Sequence, residues 1–263
     1  HLFSYLSILF DCGILKLRHS RKGEFLLESF ITEILPPFQA PSRDARLVLF
    51  TDEAIRRDRA EVARQLHQYT QYTAKYGVYL ISGLLELDGN LCLCMFGPKG
   101  EPVLRQPALH LSLPLRTAGL AAASEIELAR TELGSFYLCV DTDILHPQTV
   151  RTAALKGADV VFSVQHIDPV TETSGRIMES VWNAAQTNNL YVVNLSGGAR
   201  TVCCPAPVTR AGDGYLVRHT GNSPCRFGLN LERLDQVREG FPVMERMNAS
   251  LIQNYAEELG LGR

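Results

Sequence analysis

The chain has 263 residues, 46% of them hydrophobic and 21% charged, with a formal net charge of −2. This is ordinary globular composition, long enough for one large domain with a substantial core, and it excludes a collagen-like or disordered chain. A near-neutral charge balance gives no basic surface for nucleic acid or an acidic membrane, so no nucleic-acid partner is expected. The seven cysteines are an odd number in a long chain, which does not read as a disulfide framework; a reducing, intracellular and cytoplasmic setting is expected. Cys92-Leu-Cys94 and Cys203-Cys204 lack the spacing of a zinc site, so buried thiols are expected there and neither a metal nor a cofactor is implied.

Leu2 to Phe10 is apolar but far too short to span a bilayer, and it has neither a basic leader nor a small-residue cleavage site. A strand over Leu2–Leu15 is expected, with no membrane segment in this chain. Gly23 to Leu35 places Phe25, Leu26, Phe30, Ile31 and Leu35 near helical period, which predicts an amphipathic helix stopped by Pro36-Pro37. Leu47–Phe50 reads as a short buried strand ending in Thr51-Asp52-Glu53. Ala54–Lys75 reads as a helix. Val78–Leu85 and Leu91–Phe96 read as strands joined by the hairpin turn Asp88-Gly89-Asn90. A turn at Gly97–Gly100 leads to a strand over Val103–Leu113.

The stretch Gly134–Val164 organises the rest. Phe136 to Val140 is an apolar strand, Asp141 to Pro147 a sharp turn, Gln148 to Lys156 a helix stopped by Gly157, and Asp159 to Val164 a second strand apolar enough to be buried on both faces. Such a turn lifts one side chain out of a sheet at the C-terminal end of a strand, where α/β proteins place reactive groups. After it come a polar loop from His166 to Ser174, a helix over Gly175–Thr187 carrying the single Trp182, and a strand over Leu190–Leu195. A turn at Ser196-Gly197-Gly198, another turn within Val208–Val217, a last strand over Phe227–Leu231, and helical stretches from Leu234 to Leu259 complete the chain. Strands alternating with helices predict a two-layered sheet core with helices outside.

The same stretch resembles the nucleophile elbow of the nitrilase superfamily, the carbon–nitrogen hydrolases. Aligned without a gap, Gly134, Asp143, Pro147 and Lys156-Gly157-Ala158-Asp159 match the family's pattern, and Asp141 falls where the family has its catalytic Cys. Leu47–Asp52 resembles the segment ending at the catalytic Glu, with Asp52 at that position. Gln106–Leu111 resembles the Lys-x-His-Leu segment, with His110-Leu111 matching and Ala108 at the catalytic Lys. Val78–Glu101, Trp182–Gly198 and Ala211–Val217 follow in order. The resemblance implies an α/β (α+β) fold, a four-layer αββα sandwich over residues 1–232, with 233–263 a C-terminal helical extension. It also implies a homo-oligomer, a dimer paired through the sandwich faces.

In that family a Cys thiolate attacks an amide or nitrile carbon, a Glu moves the proton and a Lys stabilises the anionic intermediate. With Asp141, Asp52 and Ala108 at the three positions, the resemblance implies a homologue that has lost thiol-dependent hydrolysis and serves for binding, scaffolding or regulation of a small amide ligand or a protein partner. The alternative is an active amidase with Cys139 as nucleophile, two residues before Asp141 on the same strand face, Asp52 or Glu53 as base, and Lys99, Arg105 or His110 supplying positive charge. A third reading gathers Asp52, Asp141 and Asp143 around a hard cation; its plainer counterpart has Asp143 capping the following helix and Asp141 exposed. His110, Asp143, His146 and Trp182 are the candidate ligand-binding residues, and His166 could also face the pocket.

Overall fold

The computed structural model describes residues 17–19, 25–27, 29–167, 172–220, 223–248 and 250. The strand expected over Leu2–Leu15 and the last helical stretch lie outside them. A two-stranded ribbon, β1 (Leu17–His19) and β2 (Phe25–Leu27), precedes two large sheets.

The first sheet contains β3 (Ser29–Leu35), β4 (Ala45–Phe50), β5 (Tyr79–Ile81), β6 (Leu85–Leu87), β7 (Asn90–Phe96) and β8 (Pro102–Pro107). The second contains β9 (Ala129–Thr131), β10 (Gly134–Val140), β11 (Val160–Gln165), β12 (Tyr191–Ser196), β13 (Ala199–Cys203) and β14 (Tyr215–Thr220). The chain then returns to the first sheet with β15 (Cys225–Asn230). Strand order is β15-β3-β4-β5-β7-β6, with β8 also paired to β7, in one sheet, and β14-β13-β12-β11-β10-β9 in the other. Strands β3, β4 and β5 run parallel, as do β10, β11 and β12.

The helices are α1 (Arg59–Tyr76), α2 (Leu113–Thr117), α3 (Pro147–Leu155), α4 (Ser174–Asn188) and α5 (Leu231–Gly240). Side-chain alternation sorts each central strand between two layers. In β4, Leu47 and Leu49 face the second sheet, while Val48 and Phe50 pack beneath α1. In β10, Phe136, Leu138 and Val140 face the first sheet, while Tyr137 and Cys139 lie beneath the helices on the other side. The arrangement is the expected αββα sandwich: a core between the sheets, and a helix-covered core on each outer face.

Four sequence-based expectations change. The segment expected as an amphipathic helix from Gly23 forms β2 and β3 instead. Its apolar spacing satisfies both periods, but Ile31, Thr32 and Ile34 are β-branched, and β3 is held on both sides, by β15 and β4. The helix expected from Ala54 begins at Arg59, because Asp58 caps it by accepting the Glu61 N–H at 2.8 Å, and Arg56 is still extended, bridging to Leu85. The strand expected through Leu113 ends at Pro107, and α2 starts at Leu113. A strand with no counterpart in the sequence reading, β13, pairs with β12 through a tight hairpin whose loop residues Gly197 and Gly198 have φ of 53° and 74°.

Candidate functional site

The site is built at the C-terminal ends of parallel strands of both sheets. Strand β10 ends at Val140, and Asp141 then takes φ = 49°, a left-handed conformation uncommon for a residue with a Cβ and best tolerated among such residues by Asn and Asp. A 3-10 turn over Asp141–Leu145 follows, and Pro147 opens α3. The sharp strand–turn–helix elbow expected from the sequence is present, with Asp141 at its strained position. The expectation that residues 139 and 141 continue one strand face fails here, because Asp141 has already left the strand.

Asp141 is 3% exposed. The expectation of an exposed Asp141 is therefore overturned. Its Oδ1 accepts the backbone N–H of His166 at 3.0 Å, from the residue just past β11. Burial pushes its pKa up to about 6, against the opposing pull of the His166 N–H and ring.

Asp143 is fully buried but does not cap α3; His146 occupies that cap position without a side-chain bond. Asp143 instead accepts the backbone N–H groups of Leu109 and His110, at 3.1 and 2.7 Å, and the His110 Nδ1 at 3.0 Å. Thr142 Oγ1 adds a bond to the His110 carbonyl. The elbow thus pins the segment that follows β8. The rings of His110 and His146 stack with centroids 3.6 Å apart and planes 9° from parallel.

Asp52, past the end of β4, is clamped by Arg56: Nη2 lies 3.1 Å from Oδ2, and Nε 3.3 Å from the same oxygen. Glu53 points the other way. Its Oε1 accepts the Gly198 N–H at 3.0 Å, and its own carbonyl lies 3.2 Å from His166 Nδ1. Burial raises the Glu53 pKa, opposed by the N–H groups of the glycine turn and the nearby Arg200 guanidinium. His166 therefore links the segments carrying Glu53 and Asp141. Arg200 is itself buried, and burial lowers its pKa.

Cys139 is fully buried in the helix-side core, and burial, reinforced by the Asp143 carboxylate, drives its thiol well above the ordinary range. Ala108 is also fully buried, within the core between the sheets. The cations considered for its neighbourhood are engaged elsewhere or exposed: Arg105 is bonded to Asp88, the Leu87 carbonyl and Cys92, and Lys99 is exposed in the turn before β8. Trp182 donates its indole N–H to the Asp213 carbonyl at 2.8 Å, seating the turn before β14 on α4.

Asp52, Asp141 and Asp143 do not share a donor: each carboxylate is turned to its own partner, and no group of three or more His, Cys, Asp or Glu suited to a metal ion occurs among the described residues. The sequence reading missed Arg56, four residues after Asp52, and Arg200. The first spacing was a visible signal for an ion pair; nothing local announced the second.

An αββα sandwich of two mixed sheets covered by helices is the fold of solved nitrilase-superfamily structures. The chain has that fold: Nit3 of Saccharomyces cerevisiae, a member of branch 10 of the nitrilase superfamily, matches at TM-score 0.66 and 16% identity over 84% of this chain and 98% of its own. A carbon–nitrogen hydrolase from Helicobacter pylori matches at TM-score 0.69 and 14% identity, covering 87% of this chain and 98% of that one. An amidase from Nesterenkonia sp. matches at 0.62 and 15%, over 86% and 96%. No protein-family model matches the sequence, and no curated protein matches it either. Among the described residues no helix is long and apolar enough to cross a membrane.

Proposed function

We propose that this chain is a nitrilase-superfamily homologue that has given up thiol-dependent carbon–nitrogen hydrolysis and acts by binding, as a scaffold or a regulatory partner. The observation that carries this reading is Asp141. It occupies the strained elbow position with φ = 49°, where the sequence resemblance places the nucleophilic Cys. A carboxylate there cannot replace a thiolate against an unactivated amide, and members of such a catalytic unit fail together.

Three further observations support it. Cys139, the thiol nearest in sequence, is sealed beneath the helices with its proton held tightly. Asp52 has its oxygens committed to Arg56. Ala108 can neither donate a hydrogen bond nor carry a charge. By contrast, a mutant of the Nesterenkonia amidase carries the acetamide moiety of fluoroacetamide covalently at its active-site cysteine.

On this reading a small amide or a protein segment binds at the elbow beside Asp141, and the chain pairs into dimers through its sandwich faces within the cell. The test is ammonia release from a panel of amides and nitriles, run on the native chain, Cys139→Ala and Asp141→Cys. No release from the native chain and none from Cys139→Ala is the expected result. Release by the native chain that disappears in Cys139→Ala would overturn the reading and make the chain an amidase.

A further inference from the structure

We propose that the glycine turn between β12 and β13, with Arg200 behind it, is a carboxylate cradle, and that Glu53 fills it as an internal stand-in which a small carboxylate ligand displaces. Gly197 and Gly198 take φ of 53° and 74°. Successive amides in a tight turn of this kind form a concavity that receives an anion. The Gly198 N–H lies 3.0 and 3.4 Å from the two Glu53 oxygens, and the Gly197 amide acts on the same carboxylate.

Arg200 comes two residues later. It alternates with Val202 along β13 and stands opposite Leu195, so its side chain turns into the space between the sheets. It is 1% exposed and among the largest fully buried side chains. Its Nη1 donates to the Ser223 carbonyl, its Nε has no hydrogen-bond partner, and it forms no ion pair among the described residues. A buried cation without a paired anion is costly. Glu53 is the carboxylate whose field reaches it. The amides and the guanidinium therefore share one carboxylate, and its hydrogen bonds go to the turn alone.

Glu53 is placed to give way. It is half-buried, in the irregular segment between β4 and α1, with Ala54 and Gly197 exposed beside it. A Cβ on Gly198 would meet no atom within 4 Å, so there is room next to the turn. When Glu53 swings to solvent, an incoming carboxylate takes the turn amides and meets the Arg200 fork, whose planar edge matches two carboxylate oxygens. The ligand class is thus a small ionised carboxylic acid. This rests on the binding reading above only for the ligand's place at this end of the sheets; ammonia release would overturn that reading and leave the cradle standing.

The test is calorimetric titration of the full chain with sodium propionate and with propionamide at constant ionic strength. Propionate is expected to bind the native chain about ten-fold more tightly than its neutral isostere, and about ten-fold more tightly again in Glu53→Ala, where the stand-in is gone. Adding Arg200→Gln to Glu53→Ala is expected to abolish the preference. Arg200→Lys, which keeps the charge but not the fork, should retain part of it. Circular dichroism confirms that each variant folds, and Glu53→Ala with Arg200→Lys decides the matter if Arg200→Gln does not fold. Equal affinity for propionate and propionamide in Glu53→Ala, an affinity for propionate unchanged between that variant and the native chain, or a preference untouched by Arg200→Gln would each overturn the proposal.

Discussion

The backbone N–H of His166 reaches the Asp141 carboxylate at 3.0 Å, joining the end of β11 to the strained turn after β10. This one bond offsets only part of the cost of burying that carboxylate, since the folded pKa stands at about 6 against an ordinary 3.8. Between those values the folded state binds the proton that the unfolded chain has released. Stability therefore falls as pH rises from about 4 to about 7, and the cost of holding Asp141 ionised is fully present above the folded value. A difference of about two units corresponds to roughly 3 kcal/mol. Asn accepts the same left-handed backbone without a charge. Asp141→Asn is expected to gain stability over the native chain at pH 7, the advantage shrinking towards pH 4. Urea unfolding across that range measures it, and a pH-independent difference would refute the assignment.

Among the described residues Arg56 is the charged partner of Asp52, and it also reaches Glu61 at 3.1 Å. Asp52 is 7% exposed, whereas about a third of the Arg56 side chain is open to solvent. Removing the cation leaves a mostly buried carboxylate short of donors, but water can approach from the Arg56 side. Arg56→Ala is therefore expected to cost about 1–2 kcal/mol, less than a fully buried pair would. Arg56→Lys should recover part of that loss. Denaturant melts of the three proteins check the order.

Gly83 lies against the backbone that presents Asp52. A Cβ built there would stand 2.6 Å from the Asp52 carbonyl oxygen and 3.0 Å from its Cβ. The nearest is a backbone atom just past β4, and it cannot swing away as the tip of a long side chain could. Gly83→Ala is expected to destabilise by about 2–3 kcal/mol and to shift the Asp52–Arg56 pair. By comparison, Gly89 has open space around its missing Cβ, so its φ of 76° is the cost of any substitution there. Thermal unfolding of Gly83→Ala, together with its structure, tests the close approach.

The elbow was legible because its information is local. An apolar strand, Asp141 to Pro147, and a helix stopped at Gly157 must form a sharp turn wherever they sit, and the structure places them so. The segment before Pro36 was not legible for the opposite reason. Its apolar spacing permits a helix, and what makes β3 a strand is pairing of Thr32 with Phe227, far along the chain, and with Leu47. Asp143 shows the same limit within the site. A carboxylate just before a helix reads as a cap, yet it turns to the amides of Leu109 and His110.

The sequence by itself determined the layered alternation of strands and helices, the elbow, and the three residue types at the positions the resemblance marks: Asp141, Asp52 and Ala108. Those follow from periodicity, turn chemistry and residue identity, which act over a few neighbours. Only the tertiary structure decided where each carboxylate points: Asp141 to His166, Asp52 to Arg56, Glu53 to the Gly198 amide. A buried charge must find donors, and the donors within reach are fixed by which strand ends the folded sheets bring together.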